Sequence, residues 1–328
     1  MSYKTEKQIA IEAVTQAAKL CLAVQNDLVK VGALEKDDKS PVTIADFGAQ
    51  ALVCRHLSVN FPGVIIVGEE DSSDLQRSEN AGQLAQVTDY VRQVHPEATP
   101  AEVCRWIDAG NGQVAPRFWT LDPIDGTKGF LRNDQYAIAL ALIEEGQVQV
   151  AALACPVLPL DLDRPEEGAT GVVFAAVRGL GAAMAGLDSH HFQAVHVAEA
   201  DQAAQLRFVE SVEAGHSNHD LQQAIAAAAG ITRPSLRMDS QAKYGAVARG
   251  DAALYLRLPS AKSPDYRENI WDHAAGSLIV EAAGGQVTDM HGQPLDFASD
   301  VKMRHNRGVI VSNGVIHQAV LAAIGAKS

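Results

Sequence analysis

The chain has 328 residues, with 40 acidic and 27 basic side chains and a formal net charge of −13. At roughly 100–200 residues per domain, that length predicts about two domains. Hydrophobic residues make up 47% and charged residues 20%, a globular balance rather than a disordered one. The acidic excess excludes a protein that coats DNA or an anionic membrane, which needs clustered Lys and Arg. It leaves room for an anionic small molecule where cations are recruited locally.

Cys21, Cys54, Cys104 and Cys155 stand apart, with no CxxC or Cys/His cluster. Neither a structural zinc site nor a disulfide framework is indicated, and the thiols read as reduced residues of a cytoplasmic protein. The opening MSYKTEKQIAIEAV carries charges where a signal peptide would be apolar, and reads as the start of an amphipathic helix. The most apolar stretch, Tyr136 to Ile143, is too short for a membrane span and runs into Glu144 and Glu145.

In chain order, helical spacing of apolar residues predicts a helix over 5–31 and a second from Ile44 to Leu57. Phe61-Pro62-Gly63 breaks the chain, and the β-branched run Val64–Val67 predicts a short buried strand. Residues 71–118 are polar, with one helix from Gln83 to Val94, and are expected to form a lid or binding element. Phe118–Leu121 is the next strand. Tyr136–Ile143 and Val148–Leu153 flank Glu144-Glu145-Gly146 as a hairpin. Irregular chain punctuated by Pro156, Pro159, Pro165 and Gly168 precedes a strand at Val172–Val177. A boundary near residue 200 would divide the chain into lobes 1–200 and 201–328. Beyond it, helices at Asp220–Ala229, Asp272–Ala283 and Gly314–Ile324 alternate with strands at Ala252–Leu258 and Gly308–Ser312. That alternation favours a layered α/β fold.

The strongest chemical signal is Asp122-Pro123-Ile124-Asp125-Gly126-Thr127, directly after a strand. Two carboxylates fixed by a Pro and a Gly suit a hard divalent cation such as Mg²⁺; the bland reading is a turn in which Asp caps its own backbone. Glu69-Glu70 leaves another strand, and taken alone would be solvated surface. Asp272, in Trp271-Asp272-His273-Ala274, is placed to N-cap the helix that follows, or to point a carboxylate at a cation. Asp46 would be a first-turn acid of its helix, or a proton acceptor for a hydroxyl such as that of Thr127.

Together these segments resemble the lithium-sensitive, magnesium-dependent phosphatases that include inositol monophosphatase, whose pattern is GEE, then DPxDGT, then WDxAxG beginning a late helix. Within that family the chain is most similar to the 3′(2′),5′-bisphosphate nucleotidases. SPVTIAD, VGEEDS, DPIDGTKGFLRNDQYAIALAL, LACPVLPL, HSNHD, DSQAKYGAVARGDAALYLRLP and IWDHAAGSLIVEAAGG carry the narrower likeness.

The resemblance implies an αβαβα sandwich of two lobes with the active site between them. It implies Mg²⁺, as two or three ions, held by Glu69, Asp122, the Ile124 carbonyl, Asp125 and Asp272, with Asp46 and Thr127 as the water-activating pair. His219, Ser240, Lys243 and Arg257 match positions that hold the nucleotide, beside Thr127 and Asp272. The implied reaction removes the 3′-phosphate of adenosine 3′,5′-bisphosphate, with 3′-phosphoadenylyl sulfate and inositol 1,4-bisphosphate as further substrates and Li⁺ as an inhibitor. The expected partner is a small nucleotide bound by a monomer, with no nucleic acid and no membrane. The alternatives are an inositol phosphate phosphatase of the same fold and a non-catalytic sensor of the bisphosphate.

Overall fold

A computed structural model describes residues 3–31, 40–165, 170–199, 206–212, 219–259 and 265–326. Helices α1 (Lys4–Val31) and α2 (Ser40–Asn60) lead into strand β1 (Ile66–Gly68). Helix α2 starts several residues earlier than the sequence predicts, with Pro41 in its first turn, where a missing N–H costs nothing. Asp46 therefore sits in the second turn, away from the helix-end dipole invoked for it.

The next segment contains α3 (Ala81–Arg92) and α4 (Pro100–Asp108). The second of these was not foreseen, although Thr99 and Glu102 form a full capping box with Pro100 at the helix start. Val87, Val91, Val103 and Ile107 join the same core as α1 and α2, so this region is packed rather than an open loop.

Strand β2 (Arg117–Asp125), the short α5 (Thr127–Leu131), β3 (Ala137–Glu144), β4 (Gln147–Pro159), β5 (Thr170–Val177), β6 (Gly181–Gly186) and β7 (Gln193–Val195) follow. Strands β1 to β7 form one sheet in sequence order, parallel only at β1–β2. The β3–β4 hairpin turns on Glu145 and Gly146, both at positive φ, as a two-residue turn of matching twist requires.

Alternate residues of β3 face opposite cores. Ile138, Leu140 and Leu142 pack towards α1 and α2. Ala137, Ala139 and Ala141 face the other core. That second core also takes residues of α7 (Ala242–Ala248) and α8 (Ala274–Ala282). Every residue of α7 is buried, so it lacks the amphipathic stripe by which a helix is read from sequence.

A second sheet, in the order β11-β12-β10-β8-β9, is built from β8 (Phe208–Glu210), β9 (Leu236–Arg237), β10 (Leu254–Arg257), β11 (Gln286–Thr288) and β12 (Val309–Ser312). Its far face is covered by α6 (His219–Ala228) and α9 (His317–Gly325), around Phe208, Leu254, Ile310 and Val320. The layers therefore run helix, sheet, helix, sheet, helix. No helix among the described residues is long and apolar enough to cross a membrane.

Candidate active site

In the parallel pair β1–β2, Gly68 lies opposite Leu121. The residues that follow, Glu69 just past β1 and Asp122 within β2, therefore stand side by side, within mutual hydrogen-bonding reach. Further along β2, Asp122 pairs with Ala139 but Asp125 pairs with Ala137, so one extra residue bulges out. In a regular strand, residues three apart face opposite ways; the bulge brings two such carboxylates to one side.

Asp46 reaches the group from α2, and Asp272 from the 3₁₀ turn Ile270–Asp272. The Asp272 carboxylate accepts the Asn269 backbone N–H at 2.8 Å. It caps its own 3₁₀ turn, not α8, whose N-cap position is His273.

The acids raise one another. Burial is the first cause of the upward shift at Asp122, followed by the charges of Glu69, Asp125, Asp272 and Asp46. Asp46 is raised by burial and then by Glu70 and Glu69. Glu69 keeps surface in solvent, yet the protein around it and the charges of Asp272 and Glu70 push its carboxyl to about 7. Burial likewise pushes Asp272 to about 6.

One buried oxygen, Asp122 Oδ1, has no hydrogen-bond partner, an arrangement costly for a carboxylate without a cation. No three His, Cys, Asp or Glu side chains among the described residues close on a common point as a preformed metal cage. The all-oxygen donor set still fits Mg²⁺, which binds through one or two carboxylates and retains several waters.

Two of these acids, Asp125 and Asp272, line a cleft of about 330 Å³, within the usual size for small-molecule sites; Asp46, Glu69 and Asp122 are not among its lining residues. Thr127, exposed at the start of α5, lines it beside Asp125 and Asp272. The cleft is also lined by Ser240, Lys243, Tyr255, Arg257, Tyr266 and Glu268. Lys243 is only 4% exposed, and burial lowers its pKa to about 8 against the pull of Asp125 and Asp239. Its Nζ donates to the Met238 carbonyl at 3.4 Å and lies 5.1 Å from the centre of the Tyr255 ring.

Arg257 is already paired, its Nε donating to Glu268 at 2.9 Å. Glu268 is held near 2: burial opposes its charge, and the His273 bond and Arg257 overcome it. Tyr244 and His273 Nδ1, 2.7 Å apart, extend this network.

The structure thus gathers Asp46, Glu69, Asp122, Ile124, Asp125 and Asp272 around the strand ends, and puts Thr127, Ser240, Lys243 and Arg257 on the cleft. His219 begins α6 and is not among the cleft-lining residues; its neighbour His216 lies outside the described residues.

Three residues were not singled out from the sequence. Gln50, fully buried one turn after Asp46, accepts the Glu70 backbone N–H at 3.1 Å and donates to the Ile107 carbonyl at 3.0 Å. Gln241 and Glu268 carry no local signature; their partners come from distant segments.

A layered αβαβα chain that gathers carboxylates at strand ends, opposite cationic groups, defines a metal-dependent phosphatase class. Comparison with known proteins makes the family specific. The sequence pattern of the inositol monophosphatase family matches residues 2–327, and the chain belongs to that family. It is 46% identical to a 3′(2′),5′-bisphosphate nucleotidase of Schizosaccharomyces pombe, covering 99% of this chain and 96% of the relative. It is 42% identical to one of Oryza sativa, covering 98% and 94%.

Among solved structures, an inositol monophosphatase from Anabaena (Nostoc) sp. PCC 7120 shares the fold at a TM-score of 0.64 and 19% identity, covering 99% of this chain and 97% of that one. A member of the same family from Bacteroides thetaiotaomicron, CysQ, does so at 0.60 and 21%, covering 94% and 97%.

Proposed function

We propose that this chain hydrolyses the 3′-phosphate of adenosine 3′,5′-bisphosphate to AMP and phosphate, with Mg²⁺, as two or three ions, held by Glu69, Asp122, the Ile124 carbonyl, Asp125 and Asp272. One observation carries the reading. A cluster of mutually interacting acids, with an orphaned oxygen on Asp122, brings Asp125 and Asp272 to the wall of a cleft that also presents a buried lysine. An anionic substrate with two separated phosphates matches that polarity. The nucleotidases of fission yeast and rice, alike over nearly their whole length, support the same substrate.

Bound divalent ions supply charge neutralisation of the phosphomonoester dianion and acidify water at neutral pH. The chain's own residues do the rest. Thr127 orients the attacking water through its hydroxyl, and Asp46 accepts the proton relayed through it. The raised pKa of Asp46 makes it a stronger base than an ordinary carboxylate. The water oxygen bonds to phosphorus as the bond to the ribose 3′-oxygen breaks, and the alkoxide takes up a proton. No covalent intermediate on the protein is required.

Lys243 and Ser240 receive the retained 5′-phosphate, with Arg257 held beside them by Glu268. The cleft runs between an N-terminal lobe, 1–200, and a C-terminal lobe, 201–328. The four cysteines are unpaired and buried, in keeping with a cytoplasmic monomer.

The test is phosphate release from adenosine 3′,5′-bisphosphate, 3′-phosphoadenylyl sulfate, inositol 1,4-bisphosphate and inositol monophosphate, with and without Mg²⁺ and Li⁺. The expected result is Mg²⁺-dependent, Li⁺-inhibited release with the highest kcat/KM on the nucleotide. A higher kcat/KM on inositol monophosphate would overturn the substrate, and binding without release would favour a sensor.

A further inference from the structure

Gln241 is 1% exposed and ties its own segment to two others distant in sequence, one at Asp125 and one at 271–276. Its backbone N–H donates to Asp125 Oδ2 at 2.6 Å. Its side-chain Nε2 donates to the Trp271 carbonyl at 2.9 Å, one residue before Asp272. Its Oε1 accepts the Gly276 N–H at 3.0 Å, in the first turn of α8. Each polar group of this residue that these contacts involve is spent on an element that carries, or adjoins, a carboxylate of the acidic cluster.

The local chain is built for that task. Ser240, just before Gln241, sits at φ 65°, a left-handed backbone uncommon for serine, and its Oγ accepts the Ala242 N–H at 3.1 Å. Gly126, just after Asp125, is also left-handed at φ 90°, and a Cβ there would lie 2.8 Å from the Ser240 Cβ. Two left-handed turns from different sheets thus meet in close contact, and this packing fixes Gln241 against Asp125.

We propose that Gln241 is a positioning residue that sets the distance between Asp125 and Asp272, and thereby the affinity for the divalent cation they share. A buried amide suits this role because it bridges two backbone groups without adding charge to an already acidic cluster. This inference rests on the metal reading of those two carboxylates. It assigns Gln241 no contact with substrate.

Two near-isosteric variants test it. Gln241→Met keeps the volume and loses both side-chain bonds. Gln241→Glu keeps the acceptor for Gly276 but turns the donor facing Trp271 into an oxygen. Mg²⁺ binding is read by calorimetry on the full chain without substrate, beside kcat and KM. Loss of an outer partner of a metal ligand typically weakens binding about 10- to 100-fold. The expected result is a weakening in that range for both variants, with kcat lowered at fixed Mg²⁺ and partly restored by excess Mg²⁺, while KM for the nucleotide changes little.

Folded variants that bind Mg²⁺ as wild type does would overturn the proposal. Should either variant fail to fold, the wild-type protein still decides. On Mg²⁺ titration, the backbone and side-chain amide ¹⁵N resonances of Gln241 should shift together, saturating with the calorimetric affinity; unshifted resonances at saturation overturn the role. Wild-type protein that binds no Mg²⁺ would sink the metal reading itself, whereas binding that Gln241 variants leave untouched sinks only this inference.

Discussion

The two ends of the cleft handle charge in opposite ways. At the strand ends of β1 and β2, acids are packed against acids, and each raises the pKa of its neighbours. On the basic side Arg257 pairs with Glu268, His273 Nε2 lies 3.8 Å from Glu268, and Lys243 sits between the Met238 carbonyl, the Tyr255 ring and the charges of Asp125 and Asp239. At the first, Asp122 Oδ1 is buried without a partner, and in the proposed function cations complete it. The second is complete in itself and offers an anion one buried ammonium and a half-neutralised guanidinium. In the proposed reaction a substrate with two phosphates is oriented by this contrast, the scissile one to the acids and the retained one to Lys243.

The contrast breaks most visibly at the acidic end. Asp125→Asn removes one charge from the cluster while keeping the Gln241 N–H partner, and kcat for phosphate release should fall at least about 100-fold, as when a group that stabilises transition-state charge is lost. Steady-state release at saturating Mg²⁺ checks this.

Next comes the packing that joins the two ends. Gly126→Ala forces a side chain into left-handed backbone and against Ser240, and strain of that kind costs on the order of 1–3 kcal/mol. Chemical denaturation should show that loss, together with reduced activity from the displaced Asp125.

At the cationic end, Lys243→Ala should raise KM for adenosine 3′,5′-bisphosphate about 10- to 100-fold, the worth of a charge-assisted hydrogen bond. KM for adenosine 3′-phosphate should move far less; an equal rise in both would show that Lys243 does not meet the 5′-phosphate. Arg257→Ala should have a smaller effect on the same ratio, since Glu268 already takes up part of its charge.

A separate effect falls on stability without metal. Glu69 and Asp272 hold pKa values of about 7 and about 6, above their ordinary 4.5 and 3.8. The folded chain therefore binds protons more tightly than the unfolded one, and its stability falls as pH rises from about 4 through 7. The melting temperature of metal-free protein should drop across that window, and Mg²⁺ should restore it most at the alkaline end. A metal-free melting temperature that rises with pH there would contradict the crowding of these acids.

How much of this was legible in the sequence follows the same division. The acidic residues were readable because Glu69 and Asp122 to Asp125 stand in short motifs directly after apolar runs, whereas the β1–β2 register and the bulge against β3 that bring them together join segments distant in sequence. Helix α2 was read too short, because its first turn lacks the apolar spacing seen further along, and so Asp46 was placed a turn too early. Helix α4 was missed despite its capping box, being short and set in polar chain. Helix α7 was missed because burial on all sides leaves no periodicity. The roles of Gln50, Gln241 and Glu268 were not legible, since each depends on partners that only the fold brings near. The resemblance marks Arg257 as a nucleotide-holding position but not its pairing with Glu268, 11 residues on.

In the proposed reaction the acids take the 3′-phosphate while Lys243 holds the 5′-phosphate. The most direct measurement is ³¹P NMR of adenosine 3′,5′-bisphosphate turned over by the full chain with Mg²⁺. The account predicts inorganic phosphate and AMP with its 5′-phosphate intact. Adenosine 3′-phosphate as the product would contradict it.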